Sequence, residues 1–188
     1  MITVTSNNDV DEAIAALEGA NEVFTEAQVD AALDRMSAEI TTVMQHENPV
    51  VLAVMRGGVF TSMELCRRLR FPYHFDFVHA SRYGENLTGG KLRWSVRPSA
   101  ELGGRTVLIV DDILDHGLTV RALHEELIGL GVAATYTAVL VTKDINYAPR
   151  RLVADFVGLR VDDRYVFGCG MDYKGYWRGL SSLFALAS

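Results

Sequence analysis

Four β-favouring apolar residues, Val107, Leu108, Ile109 and Val110, run directly into two adjacent carboxylates, Asp111 and Asp112. A third carboxylate, Asp115, stands just before His116-Gly117-Leu118-Thr119, and the pattern then turns helical (TVRALHEELIGL). An apolar run ending in acids and a glycine turn reads as a buried parallel strand that delivers its C-terminal end to a site. The helix that follows aims its first N–H groups at the same place, which suits an anion such as a phosphate. Carboxylates beside a phosphate repel it unless they bind something else: ribose hydroxyls, or a divalent cation that offsets the charge. These residues therefore favour a phosphorylated sugar held together with a hard metal ion. Acids at a strand end can also be solvated loop residues or charges that suit a helix N-terminus. Strand, paired acids, a third acid and a G-x-T helix opening in one string are harder to explain that way. No G-x-x-x-x-G-K-[ST] loop occurs in the chain.

The rest of the chain must position this string. Its 188 residues suit one domain with a substantial core, and 49% apolar with 22% charged residues is ordinary for a globular protein. A net charge of −6 argues against a general nucleic-acid or acidic-membrane binder. RRLR at 67–70 is the densest basic cluster and reads as a helix end. No run of about eighteen apolar residues predicts a membrane span. MITVTSNNDVDEA has neither the positive flank nor the apolar centre of an export signal, so a cytoplasmic location is expected. Cys66 and Cys169, far apart in the chain, are expected to stay reduced.

Thr25-Glu26-Ala27-Gln28 fits a capping box, and Val29, Leu33, Met36, Ile40 and Val43 follow at helical spacing, which predicts a helix ending near His46. From there strands and helices alternate. Strands are expected at 49–56, 73–81, 92–97, 106–112, 134–143, 154–161 and 165–168, with helices at 59–70 and 119–130. That alternation predicts an α/β fold whose mainly parallel sheet binds ligands at the carboxyl ends of its strands. The stretch RYGENLTGGKLRW (82–94), rich in glycine and polar residues, reads as a connection or a mobile lid.

The string from 107 to 119 resembles the 5-phosphoribosyl-1-pyrophosphate (PRPP) motif of the type I phosphoribosyltransferases. Four further landmarks stand in the order found in the hypoxanthine-guanine phosphoribosyltransferase family: MRGG at 55–58, SRYG at 81–84, VTK at 141–143 and DFVGLRVDDRYVFGCGMDYKGYWRGL at 155–180. The resemblance runs from about Glu22 to Leu183 and leaves the first eighteen or so residues without a counterpart. It implies a type I phosphoribosyltransferase fold in a single domain. The core would span about 45–150, with a small hood from about 1–24 and 151–188.

The resemblance also implies an activity: purine salvage by transfer of the 5-phosphoribosyl group from PRPP to N9 of hypoxanthine or guanine, with Mg2+, giving IMP or GMP and pyrophosphate. Asp111 and Asp112 would hold the ribose hydroxyls and the first magnesium's shell; the family often has Glu-Asp here. Asp115, His116, Gly117, Leu118 and Thr119 would wrap the 5′-phosphate, although His116 departs from the family's small hydroxyl residue. Asp115 would be the catalytic carboxylate near purine N7, exchanging a proton or orienting the base electrostatically. Arg56, where the family commonly has lysine, and Gly57 would bind pyrophosphate after a cis Met55–Arg56 peptide, with Arg178 as a further contact. Lys143 would donate to the 6-oxo group, Tyr165 would stack on the ring, and Val166 would meet the purine edge through its carbonyl. Asp172 would coordinate the second magnesium. Arg82 and Tyr83 would open a flexible loop, shorter than usual, that closes over the site. A homodimer or homotetramer is expected, with no nucleic-acid or membrane partner.

Other readings differ in what they leave unexplained. A xanthine- or adenine-preferring relative would share the chemistry, but lysine can only donate, which favours a 6-oxo over a 6-amino group. A regulatory nucleotide- or RNA-binding protein of the same fold would need a basic face that this acidic sequence lacks. A DxxD-type magnesium phosphohydrolase leaves the landmarks after the motif without a purpose.

Overall fold

The computed structural model describes residues 7–82, 92–144 and 153–187. In chain order the elements are α1 (Asn7–Glu18), β1 (Asn21–Phe24), α2 (Glu26–Met44), β2 (Val50–Met55) and α3 (Gly58–Arg68). Then come β3 (His74–Arg82), β4 (Leu92–Val96), β5 (Thr106–Leu114), α4 (Leu118–Gly129) and β6 (Ala134–Asp144). Three strands finish the series: β7 (Phe156–Asp162), β8 (Val166–Phe167) and β9 (Leu183–Ala185). Six strands form the main sheet in the order β4-β3-β2-β5-β6-β7, with β4 antiparallel at one edge and the other pairs parallel. A second sheet, β1-β9-β8, joins strands from opposite ends of the sequence.

Because β3 lies on one side of β2 and β5 on the other, the segments leaving β2 and β5 diverge. A crevice at such a reversal of strand order is the usual ligand site of an open α/β sheet.

The main sheet is buried on both faces. Along β5, Leu108 and Val110 join the core beneath α2 and α3, while Val107 and Ile109 join the core beneath α4. This two-sided burial is why the segment reads as an unbroken apolar run rather than an alternating one. α2 starts at Thr25, whose hydroxyl accepts the Gln28 N–H while the Gln28 side chain accepts the Thr25 N–H, as expected. Its buried stripe runs Val29, Leu33, Met36, Ile40, Met44. Val43, expected in that stripe, is 43% exposed, and the helix ends at Met44 with Gln45 as its C-cap, close to the expected end near His46. At 3.6 residues per turn the face drifts, and a fourth-residue step from Ile40 keeps the side chain against the sheet.

Two strands differ from expectation in ways that matter. β5 continues through Leu114, because β6 runs far enough to pair Ile113 with Val141 and Leu114 with Thr142. Asp111 and Asp112 therefore lie inside the strand, which runs two residues past its expected end at 112. Phe167, expected in the main series, belongs to the second sheet, where its ring stacks on Phe184 at 5.8 Å. α1 and the strands β1 and β9 carry no clear periodicity and are additions to the sequence-based picture. Cys66 and Cys169 are both free thiols. No helix among the described residues is long and apolar enough to cross a membrane.

Candidate active site

Within a strand, consecutive side chains point to opposite faces. Asp112 continues the Leu108–Val110 parity and meets the segment leaving β2, whereas Asp111 continues the parity of Val107 and Ile109. Both carboxylates are nearly enclosed, each 9% exposed. Burial, and then the negative charge of Asp112, push the Asp111 carboxyl well above the ordinary carboxylate range. Burial also raises Asp112, opposed by hydrogen bonds that include the Ile113 N–H and by the Arg178 guanidinium charge. The pair thus lacks enough positive charge within the protein to balance it.

Three segments cross at Asp112, whose carboxylate lies directly against Gly57. A methyl group on Gly57 would lie 1.9 Å from Asp112 Oδ2, and one on Gly170 would lie 2.2 Å from the Gly57 carbonyl oxygen. Gly170 also has φ of +103°, so it is fixed twice over. The Met55–Arg56 peptide that precedes this crossing is cis, as the resemblance implies. Gly57→Ala should lower thermal stability by roughly 1–3 kcal/mol or more through overpacking. Gly179→Ala, where a methyl group meets nothing within 4 Å, should melt close to the parent. Thermal unfolding of the two variants side by side checks this; equal melting temperatures would mean that the crossing can relax.

Two cavities open on either side of Asp115. One, of about 230 Å³, is lined by Asp111, Asp112, Asp115 and the turn Gly117–Thr119. Gly117, at φ +71°, offers no capping side chain, so the first turn of α4 presents its backbone donors to this cavity. The other, of about 220 Å³, has Lys143, Tyr165, Val166, Met171 and Asp172 in its wall. Asp112, Ile113 and Asp115 border both.

In the second cavity, Lys143 sits at the end of β6 with only 16% of its side chain exposed, and its Nζ lies 3.3 Å from Asp163 Oδ1. Tyr165 is 49% exposed and its hydroxyl donates to the Asp172 carbonyl at 2.9 Å. Val166 and Phe167 turn their side chains into the core, so of these three neighbours only Tyr165 offers a ring to the cavity. Asp115 Oδ1 is buried, and no donor meets it in hydrogen-bond geometry, although His116 Nδ1 is 3.0 Å away.

Asp172 and Arg178 stand together: Arg178 Nη2 pairs with Asp172 Oδ1, and its Nη1 donates to the Gly170 carbonyl at 2.7 Å. Asp172 Oδ2 accepts the Gly175 N–H at 2.6 Å. Arg56 is exposed beside Gly57. Arg82 ends β3, and Tyr83 and most of the 82–94 stretch lie outside the described residues. Sequence reasoning missed Asp163, Gly170 and Met171; for Gly170, the GCG spacing after β8 was the available signal. Among the described residues no three acidic, histidine or cysteine side chains form a ready-made metal cage. Paired buried carboxylates short of positive charge nevertheless fit magnesium, which keeps water and ligand oxygens in most of its shell.

A mainly parallel sheet reversing at β2, a glycine crossing at a carboxylate pair and a helix N-terminus beside it define a type I phosphoribosyltransferase fold. The family model for the phosphoribosyl transferase domain matches residues 19–174. A hypoxanthine-guanine-xanthine phosphoribosyltransferase of Tritrichomonas foetus is 30% identical over 158 residues, covering 84% of this chain and 86% of the relative. The Bacillus subtilis hypoxanthine-guanine phosphoribosyltransferase is 28% identical over 159 residues, 84% and 88% of the two chains. A Trypanosoma cruzi hypoxanthine phosphoribosyltransferase variant, solved as a ternary substrates complex, superposes with a TM-score of 0.81 at 30% identity, covering 90% and 97%. A Bacillus anthracis hypoxanthine-guanine phosphoribosyltransferase gives 0.83 at 26% identity, covering 89% and 98%. The chain belongs to the phosphoribosyltransferase family of pentosyl-transferring enzymes, and within it to the hypoxanthine-guanine phosphoribosyltransferases.

Proposed function

We propose that this enzyme transfers the 5-phosphoribosyl group of PRPP to N9 of hypoxanthine or guanine, releasing pyrophosphate and the purine nucleotide. The observation that carries the reading is the pair of cavities meeting at Asp115, one suited to a phosphosugar and the other to a flat base. In the first, backbone donors from Asp115 through Thr119, with His116 at the rim, receive the 5′-phosphate. Asp111 and Asp112 receive the ribose hydroxyls. In the second, the Tyr165 ring stacks on the base, worth about 1–3 kcal/mol. The Lys143 ammonium donates to its 6-oxo group, and the Val166 carbonyl meets the ring edge. The crossing at Gly57, with Arg56 and Arg178, takes the pyrophosphate.

Magnesium would be held by Asp111 and Asp112 at the ribose and by Asp172 at the pyrophosphate, and when bound it offsets the charge of the leaving pyrophosphate. The bond from ribose C1′ to pyrophosphate oxygen breaks as the bond to purine N9 forms. Asp115, between the cavities, takes up or returns the purine's proton at N7. Because the transition state carries ribosyl cation character, excluding water matters as much as holding the leaving group. The reading includes a cytoplasmic homo-oligomer. Exposed apolar side chains on α3 (Val59, Met63) and on one face of β3 (Phe75, Phe77) support the assembly, which sedimentation equilibrium would measure.

Steady-state rates with PRPP, magnesium and each of hypoxanthine, guanine, xanthine and adenine test the proposal. The 6-oxopurines should turn over and adenine should not; a preference for adenine overturns the assignment of Lys143. Lys143→Met should raise KM for the base by roughly 10-fold or more, as expected for losing a charged hydrogen bond, and leave KM for PRPP within about 2-fold. The reverse pattern would mean that the purine occupies the other cavity.

A further inference from the structure

The hairpin that carries Asp172 and Arg178 is fastened by α1, a helix that precedes the family match, which begins at residue 19. Tyr173 and Tyr176 exchange backbone hydrogen bonds at 3.0 and 2.9 Å, closing a two-residue turn of Lys174 and Gly175 with φ of +49° and +93°. Such a turn suits a tight hairpin. Trp177 follows at φ +69°, an uncommon conformation for a bulky residue.

Three hydrogen bonds from α1 land on this hairpin. Glu12 Oε1 accepts from the Tyr173 hydroxyl at 2.9 Å and from Lys174 Nζ at 2.6 Å. The Ala13 carbonyl accepts the Trp177 indole N–H at 2.8 Å. Ala13 is also 1% exposed, whereas Val10 and Ile14 are 42% and 43% exposed, so α1 buries little apolar surface of its own. The contacts with Lys174 and Tyr173 hold the Glu12 carboxyl below the usual range, in keeping with a charged acceptor. A helix docked this lightly contributes little to a core. The hydrogen bonds of Glu12 and Ala13 instead reach the residues between Asp172 and Arg178.

We propose that Glu12 and Trp177 are positioning residues through which α1 holds the Asp172–Arg178 hairpin over the Gly57 crossing, tuning affinity for magnesium pyrophosphate and PRPP. This rests on the reading of Asp172 and Arg178 given above. A site for a highly charged leaving group must be held still, because a loosely held guanidinium loses orientation when the anion arrives. Glu12 touches no reacting atom and acts only through the hairpin.

The test compares the full-length parent with Glu12→Ala, Glu12→Gln and Trp177→Phe, using magnesium pyrophosphate as the equilibrium probe. Hydrogen exchange is followed over the peptide spanning 172–178. Glu12→Ala and Trp177→Phe should accelerate exchange in that peptide while the β5 peptide stays protected. They should weaken magnesium pyrophosphate binding and raise KM for PRPP by roughly 1.5- to 5-fold, the scale of exposed polar contacts. KM for the purine should stay unchanged. Glu12→Gln, which keeps an acceptor for both partners, should recover most of the affinity. Unchanged exchange overturns the proposal, as does faster exchange with unchanged pyrophosphate affinity, which would leave α1 a purely structural element. A parent that binds no magnesium pyrophosphate overturns the reading of the site itself, and the exchange data then decide the fastening separately.

Discussion

Asp115→Asn lowers turnover by roughly 10²- to 10⁴-fold, the range expected for losing a positioned proton-transfer group, while PRPP affinity changes little. The expectation follows from where Asp115 stands. The chain leaves β5 after Leu114, so Asp115 is the first residue free of the ladder, and it borders both cavities. Its Oδ1 is buried, with His116 Nδ1 3.0 Å away but outside hydrogen-bond geometry, which leaves an acceptor for a purine N–H. Asparagine keeps the shape and one acceptor oxygen but neither the charge nor the capacity to take a proton. Single-turnover kinetics with equilibrium PRPP binding check the split. Unchanged turnover removes Asp115 from the chemistry, and an equal loss of PRPP affinity assigns it to the sugar instead.

Asp111→Asn should move stability and function in opposite directions. Burial and the neighbouring Asp112 hold the Asp111 carboxyl well above its ordinary range, so the folded protein binds a proton there more tightly than the unfolded chain. The stability linked to that proton is fully present below the unfolded value, about 3.9, and is lost as pH rises through the folded value. At neutral pH the metal-free parent therefore bears the cost of a buried acid whose ionisation its surroundings oppose. The asparagine variant does not, and its oxygen can still accept the Asp112 N–H, which lies 2.9 Å from Asp111 Oδ1.

The metal-free variant should therefore melt above the parent at pH 7 by several degrees, at about 2–4 °C per kcal/mol for a chain of this size. The gap should close as pH falls toward 4. Magnesium with PRPP should raise the melting temperature of the parent more than that of the variant, whose PRPP affinity should be at least about 10-fold weaker. Thermal scans from pH 4 to 8, with and without magnesium and PRPP, check all of this. A variant less stable than the parent at pH 7 would mean that the carboxylate pair is compensated within the protein.

Much of this chain could be read before folding because its local signals agree with one another. The Thr25–Gln28 capping box, the apolar runs at 50–55 and 107–110, and the helix opening after Gly117 each depend on neighbours within a few residues. The candidate site residues are legible for the same reason: Asp111 through Thr119 form one continuous string, and Lys143 and Tyr165 keep their order behind it.

Contacts between distant segments were not legible. Sequence could not indicate that Gly57 and Gly170 cross at Asp112, that Asp163 stands beside Lys143, or that α1 fastens the 172–178 hairpin. The four-residue β1 and three-residue β9 are too short to show a period and exist because they pair with each other across the length of the chain. The sequence by itself determined the strand-acid-helix string and hence the phosphosugar chemistry, since backbone dihedrals and side-chain types are local properties. The tertiary structure alone decided that β5 runs on past both acids, because β6 is long enough to pair with it. That pairing holds Ile113 and Leu114 in the ladder beyond both acids. It also brings Asp115 to the point where the two cavities meet.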